Sequence, residues 1–142
     1  APGCRVWLRL RVADFENHTI RRVAFEDGVW QVSTFAGNVP SYETGPVPGY
    51  VDGVGFEALF DHPTDVKVMA DGSLLVADRT NSVIRHVAKD RTVTTIAGTR
   101  GRYGVQPGAL PGVLFEPQAL IDLGDGAWAV TFLSGVLKLQ LP

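Results

Sequence analysis

The sequence has one cysteine, Cys4, among its 142 residues. A single thiol forms no disulfide within the chain, and it supplies one ligand where a structural zinc site takes about four. The sequence also lacks any run that approaches the roughly 18 consecutive apolar residues of a membrane-spanning helix. We therefore expect no disulfide framework, no cysteine-based zinc site and no membrane span. The cellular compartment stays open.

The sequence also lacks an excess of one charge. Lysine and arginine together number 13, aspartate and glutamate 15, and the formal net charge is −2. The basic residues are scattered along the chain, so we expect no patch of the kind that binds nucleic acid. Hydrophobic residues make up 45% of the chain and charged residues 20%, which is typical of an ordinary globular domain.

One ten-residue phrase occurs twice, with Val-Ala-Asp, Asn and Ile-Arg at the same internal spacing. It reads VADFENHTIR at 12–21 and VADRTNSVIR at 76–85. The first copy leads to VSTFAG at 32–37 and the second to VTTIAG at 93–98. Self-similarity that extends through a whole unit is the signature of a repeat protein.

Short apolar runs alternate with turns rich in Asp, Asn and Gly, and no window shows a sustained helical period. This pattern predicts an all-β fold. In the best-preserved copy, Asp71-Gly72 supplies the positive-φ residues of a tight hairpin. The run at 74–77 is apolar at consecutive positions, as expected for a strand buried on both faces. The predicted strands of this copy are 65–69, 74–77, 83–87 and 92–96.

The two other copies are incomplete. The first has three predicted strands, at 5–13, 19–25 and 29–35, and lacks an opening strand. The third begins at Leu114 and ends at Pro142 without a fourth strand. In this copy Phe132 and Gly135 stand where the phrase has Asp and Asn, so its turn must be held differently.

Two long connections, 38–55 and 99–112, are rich in Gly and Pro and carry all three tyrosines. Loops of more than about a dozen residues in a compact β domain are usually functional or mobile. Tyr42, Tyr50 and Tyr103 are therefore our candidate partner-binding residues. The alternative is that these loops only cover sheet edges.

The repeated words resemble the NHL repeat, which builds four-stranded β-propeller blades. The family is named for an Asn-His-Leu tripeptide. At its place the first copy has Asn17-His18-Thr19, which departs at the third residue, and the second has Asn81-Ser82-Val83, which departs at the last two. The other words that carry the resemblance are Asp52-Gly53, Leu59-Phe60, Pro63, Asp71-Gly72, Leu75-Val76-Ala77-Asp78, Ile84-Arg85 and Val93-Thr94-Thr95-Ile96-Ala97-Gly98.

This resemblance implies a partial propeller over 1–142, with blade one at 5–37, blade two at 56–98 and blade three at 113–142. A propeller closes with roughly four to eight blades, so about three blades cannot close a ring. The chain is an excerpt of a larger propeller, is closed by another polypeptide, or pairs with a second copy to form about six blades. We favour the excerpt.

We expect the polar residues of the repeated ten-residue phrase to have structural roles. An Asp side chain at a strand end can cap its own turn, and an Arg seven residues later lies on the adjacent antiparallel strand, within reach of a charge-assisted contact. We therefore assign structural roles to both sets. They are Asp14, Asn17 and Arg21, and Asp78, Asn81 and Arg85.

No catalytic motif is present, and we assign no catalytic, cofactor-binding or metal-ligating residue. We considered the three histidines as metal ligands and four aspartates as calcium ligands, but isolated histidines usually pack structurally and the aspartate spacing does not fit an EF-hand. These residues are His18, His62, His86, Asp52, Asp61, Asp65 and Asp71. Asn17-His18-Thr19 also fits a glycosylation sequon, and its use stays open.

We therefore expect a non-catalytic interaction or scaffold module without a cofactor. Its expected partners are a protein or additional blades from the same or another chain. Two alternatives remain. The resemblance also implies a segment of a propeller enzyme, a metal-dependent lyase or hydrolase with its active site at the central channel. The third reading is a structural subunit whose open blade edges pack on neighbours.

Overall fold

The computed structural model describes residues 9–142, which form eleven β-strands in three antiparallel sheets and one short 3-10 turn. The all-β prediction is confirmed. Residues 1–8, which hold Cys4 and the start of the predicted first blade, lie outside the described residues. Within 9–142, no helix is long and apolar enough to cross a membrane.

In each sheet most strands pair with the strand that comes next in the chain. The first sheet is β1 (Arg9–Asp14), β2 (Thr19–Glu26) and β3 (Val29–Ala36). The second has the order β4-β8-β7-β6-β5, with β4 (Gly53–Val54), β5 (Pro63–Val68), β6 (Leu74–Asp78), β7 (Val83–Val87) and β8 (Thr92–Ala97). The third is β9 (Ala119–Gly124), β10 (Ala127–Phe132) and β11 (Gly135–Gln140).

The second sheet has one strand more than the sequence predicts. Residues 53–54, inside the first long connection, pair antiparallel with Val93 and Thr92 of β8 and so form the outer edge of the sheet. A 3-10 turn at Gly55–Glu57 then leads the chain towards β5. The end of the first long connection is therefore part of the second sheet rather than a free loop.

Two apolar layers hold the three sheets in a stack. Residues of β6 alternate between them, because successive side chains of a strand point to opposite faces. Leu74 and Val76 pack towards the first sheet, whereas Leu75 and Ala77 pack towards the third. Every residue of β6 is buried, as the apolar run at 74–77 predicts for all but Asp78. A fully buried Leu or Val side chain contributes about 1.5–3 kcal/mol to stability.

The connections of the three sheets meet at two opposite edges of the stack. One edge, here called the long-loop edge, holds the turns 15–18, 79–82 and 133–134 and the connections 37–62 and 98–118. Hydrogen bonds between neighbouring sheets join these segments to one another. The opposite edge holds the short turns, and the 53–56 part of the first connection reaches Arg91 there. The repeated phrase and the three tyrosines therefore share one side of the molecule.

A pair of glycines provides a test of the packing at the long-loop edge. Gly98 and Gly28 both have positive φ, +88° and +82°, so alanine at either position costs about 1–2 kcal/mol in backbone strain. A Cβ on Gly98 would also collide with the carbonyl oxygen of Ser82 and lie 2.9 Å from the Cα of Val83, whereas a Cβ on Gly28 meets nothing within 4 Å.

We therefore expect Gly98→Ala to lower the free energy of unfolding by at least about 2 kcal/mol more than Gly28→Ala does, because only Gly98→Ala forces backbone to move. Urea denaturation of both variants measures the difference. Equal losses would show that the β8 end does not lie against the turn at 79–82.

Candidate functional site

A buried ion pair lies where β6 meets the following turn. The Arg85 guanidinium donates from Nη1 to Asp78 Oδ2 at 2.9 Å, and neither side chain is exposed to solvent. The Asn81 side chain donates to the same carboxylate oxygen at 2.9 Å, and the amide of Asp61 donates to the other oxygen at 2.8 Å. All three polar residues of the second repeat phrase thus form one network.

The same guanidinium connects residues 49–60, here called the linker, to the second sheet through hydrogen bonds. Arg85 donates to the carbonyl oxygens of Val51 and Leu59 at 2.8 and 3.1 Å and to Asp52 Oδ1 at 2.7 Å. Asp52 in turn accepts hydrogen bonds from the backbone amide and the hydroxyl of Thr95, both at 3.1 Å. One side chain therefore joins β6, the linker and, through Asp52, β8.

The protonation of Asp78 depends on a balance between burial and its donors. Burial raises the pKa of Asp78 to about 6, and the hydrogen bonds from Asn81 and Asp61 together with the charge of Arg85 oppose that rise. The carboxylate is therefore ionised at neutral pH. An ionised carboxylate can accept from all three donors at once, which a carboxylic acid cannot do without turning one oxygen into a donor.

The first repeat phrase forms a looser version of this network. Asn17 donates to both Asp14 oxygens at 2.9 and 3.0 Å. Arg21 Nε lies 3.9 Å from Asp14 Oδ2, and Arg21 Nη1 donates to Thr34 Oγ1 at 2.6 Å. The Asp14 and Arg21 side chains are 29% and 26% exposed. The expectation that each Asp caps its own turn through backbone amides needs correction at both positions. Asp14 accepts from the Asn17 side chain, and Asp78 accepts from the Asn81 side chain and from the distant Asp61 amide.

Two histidines that are far apart in sequence meet between the first and second sheets. The backbone amide of His62 donates to His18 Nδ1 at 3.0 Å, and the two rings lie edge to face with centroids 4.4 Å apart. His62 Nδ1 lies 2.7 Å from Asp61 Oδ1 and 3.2 Å from the hydroxyl of Thr80. The Phe15 ring covers His62 from the other side, with centroids 4.6 Å apart.

His18, Asp61 and His62 are the described residues close enough together to hold one metal ion, with potential ligand atoms within 4.8 Å of one another. In this arrangement, however, His18 Nδ1 accepts a backbone hydrogen bond and His62 Nδ1 pairs with the Asp61 carboxylate. An ion bound at these atoms would have to replace both hydrogen bonds. Sequence analysis did not bring these residues together, because 44 positions separate the two histidines.

The same junction recurs between the second and third sheets with different side chains. There the backbone amide of Glu116 donates to Ser82 Oγ at 3.2 Å, as the His62 amide does to His18. Arg79 pairs with Glu116 at 3.0 Å, in the place of the aromatic contact of Phe15 with His62. The acceptor residue has positive φ at both junctions, 54° at His18 and 59° at Ser82. The junction positions therefore connect one sheet to the next.

The three tyrosines occupy different environments. Tyr42 is fully exposed and Tyr103 is 87% exposed, with its ring centroid 5.9 Å from that of Phe115. Tyr50 is half-buried, and the guanidinium groups of Arg85 and Arg100 each lie 5.2 Å from its ring centroid. Because Arg100 belongs to the second long connection, Tyr50 links the two long connections to each other.

A cavity of about 290 Å³ lies between the second long connection and β11. Its walls are mostly aliphatic. The sequence did not predict this cavity, because it forms between segments more than 20 positions apart. The aliphatic residues lining it include Ala97, Leu110, Val113, Leu114, Leu137 and Leu139.

Comparison with known proteins finds relatives that include an NHL repeat-containing protein. No family model matches the chain. It is 39% identical over 125 residues to human NHL repeat-containing protein 2, an alignment that covers 84% of this chain and 16% of that protein. It is 33% identical over 118 residues to Protein SUPPRESSOR OF QUENCHING 1, chloroplastic, of Arabidopsis thaliana, covering 81% of this chain and 11% of that protein. The chain thus spans under a fifth of either relative.

Solved structures show the same fold. An auxiliary nutrient binding protein from Bacteroides ovatus superposes with a TM-score of 0.73 at 21% identity, over 86% of this chain and 32% of that one. A protein of unknown function from Bacteroides thetaiotaomicron gives a TM-score of 0.75 at 19% identity, over 92% of this chain and 32% of that one. At such identities the likeness establishes the fold alone.

The two repeat phrases form a natural pair for measuring the ion pair. We expect Asp78→Asn to lower the free energy of unfolding by about 3 kcal/mol, because it removes the fully buried carboxylate that pairs with Arg85 and leaves the exposed Asp52 as its remaining counterion. Asp14→Asn should cost less than about 1 kcal/mol, because its partner is partly exposed and more distant. Chemical denaturation measures both values. Similar losses in the two variants would contradict the difference in burial.

The His18 junction predicts a dependence of stability on pH. Burial, followed by the His62 ring, lowers the pKa of His18 below 6.5, against the opposing charges of Asp61 and Glu16. A depressed pKa in the folded state means that the contribution of neutral His18 is complete above about pH 6.5 and is lost progressively as the pH falls further. We therefore expect the contribution of His18 to the free energy of unfolding to be lost as the pH falls below about 6.5, while Asp78, whose pKa is raised to about 6, acts in the opposite direction.

His18→Ser is the matched variant, because Ser82 accepts the equivalent amide at the second junction without titrating in this range. Its stability should fall less steeply than that of the parent over the same pH interval. Thermal unfolding at a series of pH values compares the two slopes. Identical slopes would remove His18 as the source of the dependence.

Proposed function

Because the chain belongs to the NHL-repeat β-propeller family, we propose that it is a non-catalytic module that binds a protein partner through its long-loop edge. The observation that carries this proposal is the exposure of Tyr42 and Tyr103 on the two long connections. Tyrosine is enriched among the residues that dominate binding energy at protein interfaces. An exposed ring that makes no large buried contact in its own chain is available for such a role.

The contact of Tyr50 with two arginines supports the same proposal. It joins the first long connection, through Arg85, to the buried network and, through Arg100, to the second long connection. A surface whose loops are fastened in this way loses less conformational entropy on binding than a pair of free loops would. Tyr50 is therefore proposed to organise the surface, while Tyr42 and Tyr103 contact the partner.

Additional blades are the second kind of partner in this proposal. The first sheet leaves Leu10 and Trp30 exposed, and the third leaves Ile121 and Val136 exposed, on faces turned away from the second sheet. Apolar side chains at both ends of a repeat array need cover, which neighbouring repeats or capping units supply. A scaffold role within a larger assembly follows from the same exposure.

A cation-dependent enzyme is the second candidate function, and the proximity of His18, Asp61 and His62 favours it. Calorimetric titration with zinc ion distinguishes it from the first candidate. Stoichiometric zinc binding that His62→Asn abolishes would favour the enzyme. If zinc does not bind, the enzyme candidate is rejected, and His18, Asp61 and His62 serve only to connect the first sheet to the second.

Site-specific photo-crosslinking tests the partner-binding proposal. A benzophenone amino acid replaces Tyr42 or Tyr103, and in the control protein it replaces Val68, which is 61% exposed at the opposite edge. In an extract of the source cells we expect a defined adduct from both tyrosine positions and none from the control, because only the long-loop edge contacts the partner.

The serine variants Tyr42→Ser and Tyr103→Ser provide the complementary measurement. Each should weaken capture of the crosslinked protein by at least about tenfold, while the far-ultraviolet spectrum stays unchanged because both rings are exposed. Unchanged capture by both variants, or equal crosslinking from position 68, would refute the assignment of the binding surface to the long-loop edge.

A further inference from the structure

The free face of the first sheet, turned away from the second sheet, has the features of a linker-binding site. We propose that it binds an extended segment of the Tyr-x-Asp-Gly type, supplied by another repeat unit, as residues 49–60 bind the second sheet. The inference rests on the part of the proposed function that concerns additional blades and deepens it, since it names the segment that covers this face; it does not depend on Tyr42 or Tyr103.

The apolar side chains of this face have buried counterparts in the second sheet. Leu10 and Val12 of β1 are 45% and 43% exposed, whereas Leu74 and Val76, at the same places in the second copy, are 2% and 0% exposed. In β3 Val32 is 58% exposed. Its counterpart in the second copy, Val93, is 1% exposed. The first sheet thus carries, uncovered, the residue types that the second sheet buries.

What covers the second sheet is visible in the same chain. Ala58 and Phe60 of the linker pack in the apolar layer with Leu74 and Val76, alongside residues of the first sheet. The linker therefore lies over the face of the second sheet that corresponds to the free face of the first. Because the two sheets are repeats of each other, we infer that a linker and the packing face of another sheet cover the free face of the first sheet.

The polar residues point to the same occupant. Arg85 donates to two linker carbonyl oxygens and to Asp52, and Asp52 also accepts from Thr95. Arg21 and Thr34 stand at the corresponding places and already lie 2.6 Å apart. Within residues 9–142 they have no linker carboxylate between them. A carboxylate placed there would accept from both, as Asp52 does.

The asparagine side chain of the repeated phrase also binds a linker in the second sheet but, over residues 9–142, not in the first. Asn81 uses its side-chain nitrogen to hold both Asp78 and the carbonyl oxygen of Gly49, at 2.9 and 2.8 Å. Asn17 donates to Asp14 alone among the described residues. The free face therefore offers an amide for a backbone carbonyl and a guanidinium for a carboxylate, at the sequence positions that the second sheet uses.

These contacts define the chemistry of the occupant. It is an extended segment with an aspartate for Arg21 and Thr34, a preceding aromatic ring for the guanidinium face, and a Leu-Phe pair for the apolar strip. In the second sheet, Tyr50 and Phe60 lie 5.2 and 5.1 Å from the Arg85 guanidinium. The linker of this chain is itself engaged with Arg85, so the segment comes from another repeat unit.

A peptide with the sequence of residues 49–60, GYVDGVGFEALF, is the probe. Titrated into the full chain, the fluorescently labelled peptide should bind saturably, and hydrogen exchange should show new protection in β1–β3. Arg21→Gln in the protein, or Asn in place of the aspartate in the peptide, should each weaken binding at least about tenfold, because each removes the charge-assisted pair. Arg22→Gln is the control, since Arg22 lies on the opposite face of β2 and pairs with Glu26.

Three results would overturn the proposal. The first is the absence of saturable binding up to about 1 mM peptide, the range of weak contacts. The second is binding that protects the second sheet instead of the first, or that Arg21→Gln and Arg22→Gln weaken equally. The third is a dimer in light scattering that Val32→Lys abolishes, which would identify a second copy as the occupant. Circular dichroism of each variant verifies that it folds.

Discussion

The structure depends on a single buried guanidinium. Arg85 pairs with Asp78 at the end of β6, and its guanidinium lies over the Tyr50 ring. It also binds the linker through two carbonyl oxygens and Asp52. A planar group with five donors can satisfy such a set, whereas an ammonium group presents three donors without a fixed plane. The position of the long-loop edge relative to the sheets therefore depends on this side chain, as does the link between its two long connections.

Repetition in this chain preserves geometry more strictly than it preserves side chains. The junction between the first and second sheets uses a histidine acceptor and an aromatic contact, and the next junction uses a serine acceptor and an ion pair. Both junctions fix the amide of the residue that precedes the opening proline of a sheet. Because a backbone hydrogen bond is the common element, side chains around it can differ, and only one of the two junctions contains a group that titrates near neutral pH.

The local features of the fold were predictable from the sequence, and the contacts between distant segments were not. Short apolar runs between turns and the Asp71-Gly72 hairpin predicted four of the five strands of the second sheet, and the predicted strand at 83–87 coincides with β7. The pairing of 53–54 with β8, the meeting of His18 with His62, and the position of Tyr50 between two arginines all join segments tens of residues apart. Strand periodicity and turn chemistry carry no information about such partners. The repeated Asp, Asn and Arg were recognised as a structural set, while the further partners of Arg85 in the linker were not.

Hydrogen exchange of an Arg85→Lys variant tests the central claim most directly. Lysine keeps the charge beside Asp78 but cannot bridge the linker carbonyl oxygens and Asp52 at the same time. We expect the paired amides of Val51 and Leu59 to lose protection by at least about tenfold relative to amides of the third sheet, while Arg21→Lys leaves them unchanged. Linker amides that stay as protected in Arg85→Lys as in the parent would contradict the claim that this guanidinium holds the long-loop edge in place.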